Sequence, residues 1–155
     1  MALSKGKKRD PASLETRVFV ALLRAAERLS QDAEQLVKEQ GLTGTQYNVL
    51  RILRGSEPAG LPCKGISDRM ISHDPDMTRL LDRMEKRGLI TRERQFDDRR
   101  VVKPRITSEG LDILRKLDAP VQDLHKRQFR NISGEHLKGL AAALEEILQK
   151  APEAT

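Results

Sequence analysis

Arg79 and Arg83 stand one helical turn apart in the segment MTRLLDRMEK of a 155-residue chain. Each guanidinium carries a planar fork of donors that suits either guanine O6 and N7 or a phosphate. Met77, Leu80, Leu81 and Met84 recur between them at helical spacing and form one apolar face. At about 100° per residue, Asp76, Arg79, Asp82, Arg83 and Lys86 fall on the opposite face, with Thr78 on its flank. Asp74 is expected to cap this helix, with Pro75 in its first turn and Gly88 at its end. Aspartate repels phosphate, so Asp76 and Asp82 are assigned to orienting neighbouring Arg or Lys side chains. Thr78 suits a phosphate, a thymine methyl or a local cap. The plainer alternative for the whole face is a solvated surface with local ion pairs.

A second cluster, Asp98, Arg99 and Arg100, sits between two stretches that alternate or carry β-branched residues, 89–95 and 101–106. This pattern predicts a two-stranded hairpin with a basic tip. Arginines there fit a narrow, electronegative minor groove, with Asp98 fixing the arginine two residues on, against the alternative of a generic charged turn. Pro104 lacks a ladder donor, so its strand must be an edge or be distorted at that point.

Cys63 precedes Lys64 near an expected helix start, where the dipole favours thiolate and redox sensing is conceivable. A small packing residue is the simpler account, because the chain has no second cysteine to resolve a sulfenic acid. One cysteine and three scattered histidines provide no ligand pair at metal spacing, so neither a metal nor a cofactor is expected. There is no Gly-rich phosphate loop, nucleophile elbow or His/carboxylate cluster either, which argues against an enzyme.

The charge is concentrated where these clusters lie. Residues 61–106 hold twelve Lys/Arg against eight Asp/Glu, a net +4, and residues 1–10 a net +3, in a chain of net +6. The flanks are close to neutral, so a polyanion-binding centre and a basic tail account for the excess.

The elements that must hold the clusters are mostly helical, since only 3% of residues are aromatic and the core must rest on aliphatic side chains. Asp10 and Pro11 are expected to open a long helix whose stripe runs through Leu14, Val18, Leu22, Ala25, Leu29, Ala33 and Leu36 to a stop at Gly41. Phe19, Leu23 and Ala26 widen that stripe, which requires either a second subunit or a monomeric bundle. Thr43 and Gln46 form a capping box before a second helix, and residues 64–71 read as a weak third one. Thr107 or Ser108 and then Ser133 open two more, the first expected to bend at Pro120. No apolar run approaches the roughly 18 residues of a membrane span and the N-terminus lacks a signal sequence, so a cytoplasmic location is expected.

Two short helices, a turn, a helix with exposed arginines and a basic hairpin follow the order of a winged helix-turn-helix. MTRLLDRMEKRGLI (77–90) with DDRRVVKPRITSEG (97–110) resembles the recognition helix and wing of the MarR family. The family's Asp-x-Arg element falls on Asp98 and Arg100, and its closing Leu/Ile-Thr-x-x-Gly on Ile106, Thr107 and Gly110. GLTGTQYNVLRIL (41–53) resembles its second helix, and the likeness covers essentially the whole chain after residue 10.

The resemblance implies a mostly α fold: a winged helix-turn-helix with long N- and C-terminal dimerisation helices and a two-stranded β-wing. Residues 1–10 become a flexible basic arm and 11–155 a single domain, with a DNA-binding lobe at about 42–107 and dimerisation helices at about 11–40 and 108–150. It implies a homodimer on double-stranded DNA with a pseudo-palindromic operator, and repression relieved by a small-molecule or oxidative signal. The alternative is a winged-helix module for RNA or a protein partner, since the fold carries no function by itself.

Overall fold

Side-chain oxygens fix five of the six described helix starts, the exception being the short helix that follows Pro62. In the computed structural model, which describes residues 12–94 and 102–149, the order is α1 (Leu14–Lys38), α2 (Gly44–Ser56), α3 (Cys63–Arg69), α4 (Met77–Lys86), β1 (Ile90–Arg94), β2 (Val102–Ile106), α5 (Ser108–Gln128) and α6 (Gly134–Gln149). The capping box of α2 forms in full: Thr43 Oγ1 accepts from the Gln46 N–H, and Gln46 Oε1 from the Thr43 N–H, both at 3.1 Å. Thr107 Oγ1 accepts from the Gly110 N–H at 3.1 Å to open α5, and Ser133 Oγ from the His136 N–H at 3.2 Å to open α6.

Two starts differ from expectation. Ser13, not Asp10 with Pro11, caps α1, because its extended backbone presents the hydroxyl to the Thr16 N–H at 3.2 Å. Asp10, Pro11 and the basic arm lie outside the described residues. For α4 the cap is Asp76, whose non-helical φ of −129° brings Oδ1 to the Arg79 N–H at 3.1 Å. Asp74 bonds the Asp76 N–H instead, at 2.8 Å, so Pro75 lies before the helix. The third helix also stops early, because Met70 turns extended at ψ 142°.

Gly41 and Gly88 close α1 and α4 with φ of +71° and +72°, conformations costly for any residue with a Cβ. After α4 the Gly88 N–H reaches Glu85 O and the Leu89 N–H reaches Met84 O, which drives Leu89 into the core and starts β1 one residue later.

The hairpin is antiparallel with Ile90 opposite Ile106 and Arg92 opposite Pro104. A bond from the Thr107 N–H to Leu89 O at 3.1 Å sets the alternation, so Pro104 occupies a pair that exchanges no ladder bonds. The missing donor therefore costs nothing, and the Pro104 ring is fully buried. Helix α5 runs unbroken through Pro120. Its start lies so close to β1 that a Cβ on Gly110 would stand 2.6 Å from Leu89 O.

The core is aliphatic and joins α2, α3, α4, β1 and α5 around Leu50, Leu53, Ile66, Leu81, Met84 and Leu114. Val37 is the one buried residue of α1, and α6 has none. Phe19, Leu23 and Ile147 remain 61%, 58% and 55% exposed. No helix of the described residues is long and apolar enough to cross a membrane.

Candidate nucleic-acid interface

Helix α4 buries Leu80, Leu81 and Met84 and leaves Thr78, Arg79, Arg83 and Lys86 exposed, as the helical period predicts. Asp76 uses both of its oxygens. While Oδ1 caps the helix, Oδ2 lies 3.1 Å from Arg79 Nε, which steadies a side chain that is still 80% exposed. Arg83 has no ionic partner among the described residues.

Asp82 is half-buried and does not pair along its own helix. Its Oδ1 lies 2.6 Å from the guanidinium of Arg92 on β1, which also approaches Glu85 at 3.6 Å and donates to Thr78 O at 3.3 Å. Arg92 thus docks the hairpin against α4. The sequence reading passed over it, although a signal was present: Arg92 shares the strand face of buried Ile90, and an arginine on a packed face needs an anion.

Two further arginines act as tethers. Arg87, at the end of α4, donates to Gly41 O at 2.7 Å and to Gln46 Oε1 at 3.3 Å, which fixes that end to the α1–α2 junction. Arg105 on β2 pairs with Glu57 at 3.0 Å and donates to Pro58 O at 2.8 Å. Among the described cations of the central segment, Arg87, Arg92 and Arg105 are thus spent on internal contacts, while Arg79, Arg83 and Lys86 form a row on α4 that faces solvent.

Asp98, Arg99 and Arg100 lie outside the described residues, in the stretch that links Arg94 to its strand partner Val102. Cys63 is the first residue of α3, half-buried against the core, with Sγ 3.9 Å from Val102 O. It packs against the core cluster.

Between α1, α2 and α5 the fold leaves a cavity of about 600 Å³. Val37, Ile52 and Val121 give it an apolar wall, and Tyr47, Arg51 and His125 a polar one. The Arg51 guanidinium lies over the Tyr47 ring, 5.9 Å from its centroid, which orients the cation. The periodicity that located the helices gave no sign of this cavity, because it arises where three of them splay apart.

The sequence profile of the MarR family matches residues 42–102, from just before α2 to the first residue of β2. The chain is 30% identical over 143 residues to the organic hydroperoxide resistance transcriptional regulator of Bacillus subtilis, covering 90% of this chain and 92% of that protein. It is 26% identical over 129 residues to the homoprotocatechuate degradative operon repressor of Escherichia coli, covering 83% and 86% of the two. Among solved structures, a MarR transcription factor from Planctomyces limnophilus superposes with a TM-score of 0.67 at 35% identity, covering 88% of this chain and 98% of that one. On this likeness, on the capped α4 and on the antiparallel hairpin, the chain belongs to the MarR family of transcription regulators.

Proposed function

We propose that the chain is a sequence-specific repressor that binds double-stranded DNA as a homodimer, with α4 in the major groove and the hairpin tip at the minor groove. The observation that carries this reading is the solvent-facing row of Thr78, Arg79, Arg83 and Lys86 on a helix whose two ends are fixed by Asp76 and Arg87. A base-reading helix needs such fixed ends, because a bidentate contact to guanine tolerates little misplacement. The apolar stripes left open on α1 and α6 support the dimer.

The cavity suits a small organic anion with a flat apolar body, which Arg51 and His125 would meet with charge and donors while Val37 and Val121 pack against the ring. The Glu34 carboxylate that also lines it is engaged by the Gly44 N–H at 2.7 Å. Repression relieved by such a molecule is consistent with the operon repressor named for the E. coli relative.

Selection from a random duplex library with full-length protein tests the reading. The expected product is a pseudo-palindrome with half-sites about one DNA turn apart, bound in a salt-dependent way. Lack of enrichment, or preference for single-stranded RNA, would contradict it. At the hairpin tip, Arg100→Ala should weaken binding, and Asp98→Ala should too if it orients Arg100. A double-mutant cycle checks this, since prior loss of Arg100 should remove most of the Asp98 effect.

A further inference from the structure

Residues 70–76 lead from α3 to the Asp76 cap, so their path sets where Thr78 and Arg79 lie. Met70 and Met77 pack against the core on either side of this segment, but between them Ile71, Ser72 and His73 are exposed, Ile71 at 91%. Across that exposed stretch one bond ties the backbone to a neighbouring element. Asn48 of α2 accepts from the Ile71 N–H with Oδ1 at 2.8 Å, across 23 residues of sequence. Among the described residues this is the one side-chain hydrogen bond that ties residues 70–75 to another element.

The far end of α4 is fixed separately, by Arg87 and by the turn at Gly88. Asn48 itself sits on α2, which the core anchors through Val49 and Leu50. Its side chain lines the cavity together with Arg51, one turn along the same helix, and with Ile71 and Ser72 of the segment it holds.

We propose that Asn48 is a positioning residue for DNA recognition: its carboxamide oxygen latches the 70–76 segment to α2 and thereby sets the N-terminal turn of α4. This rests on the reading of α4 as the base-reading helix. With the latch open, the Arg87 end and the buried Leu80 and Leu81 stay in place and Arg92 still reaches Thr78 O, while the Asp76 cap and the Arg79 side chain it steadies lose their tie to α2 and sample a wider range. Specific contacts then suffer and phosphate contacts, which tolerate movement, do not.

The test compares full-length wild type with Asn48→Leu, which is close in size but has no acceptor, and Asn48→Asp, which keeps one. Amide exchange at Ile71 reads the latch directly. The ratio of affinities for the selected operator and a scrambled duplex reads its consequence and cancels the uniform repulsion that a new carboxylate adds. One exposed hydrogen bond predicts exchange at Ile71 roughly three- to tenfold faster in Asn48→Leu, with a similar fall in the affinity ratio. Asn48→Asp should keep both within about twofold of wild type, as a retained acceptor requires. Asn48→Ala should match Asn48→Leu, which covers the case in which the leucine side chain disturbs α2. Unchanged exchange at Ile71 in both apolar variants overturns the latch. Faster exchange with an unchanged ratio overturns its role in recognition, as does an aspartate that behaves like leucine. If wild type itself shows no operator preference, the DNA reading fails, while exchange at Ile71 still decides the latch.

Discussion

Whether an arginine on this molecule faces solvent or is consumed internally depends on which anions the fold brings to it. Arg92 is met by Asp82 and Glu85 and by the Thr78 carbonyl, so it belongs to the structure, while Arg83 meets none of the described carboxylates. Replacing Arg92 by Ala removes the cation shared by two partly exposed carboxylates and the donor to the Thr78 carbonyl. It should lower stability by about 0.5–1.5 kcal/mol, the range for one net hydrogen bond with a solvent-screened ion pair, measured by urea unfolding at neutral pH. A thermal midpoint and unfolding curve equal to wild type would show that the hairpin is held by its apolar contacts alone. The outward row on α4 was legible in the sequence because helical periodicity fixes which way neighbours point. The roles of Arg87, Arg92 and Arg105 were not, because their partners belong to other elements and periodicity says nothing about where those elements meet.

Elements were easiest to read where a local rule acts alone. The capping box at Thr43 and Gln46 and the stops at Gly41 and Gly88 depend on a few adjacent residues, and the structure has them as expected. The start of α4 was misplaced because Asp74 and Asp76 both suit a cap, and only the backbone path into the helix chooses between them. Contacts between elements add a layer the sequence does not display. Arg54 on α2 and Asp118 on α5 form a two-pronged pair at 2.9 Å for both bonds, and the Arg54 hydrogen bond holds the Asp118 carboxyl below its ordinary value of 3.8. A depressed carboxylate pKa stabilises the fold above the unfolded value, and that contribution is lost as pH falls through the folded one. Asp118→Asn should therefore cost about 0.5–1 kcal/mol at pH 7, given the partial exposure of both groups. The difference should shrink as pH falls below 3.8, because protonated aspartate resembles asparagine. Chemical denaturation of both proteins across pH checks this, and a constant gap would mean that the two groups do not interact in solution.

At the scale of the whole molecule, one lobe has a closed aliphatic core, and α1 and α6 present faces without a partner among the described residues. Leu14, Val18, Phe19 and Leu23 on α1 and Leu140, Ile147 and Leu148 on α6 stay exposed, too much apolar surface for a free monomer. Sedimentation should show a dimer at micromolar concentration. Leu23→Glu or Ile147→Glu should shift it towards monomer, whereas a wild-type monomer would remove the second copy from the account.

The central claim is that α4 reads a DNA sequence, and the most direct measurement is the affinity of full-length protein for its selected operator and for a scrambled duplex, with and without Arg83. Wild type should prefer the operator by at least about a thousandfold. Arg83→Ala should lose about 1–3 kcal/mol on the operator and little on the scrambled duplex. Equal wild-type affinity for the two duplexes, or an operator affinity unmoved by Arg83→Ala, would contradict it.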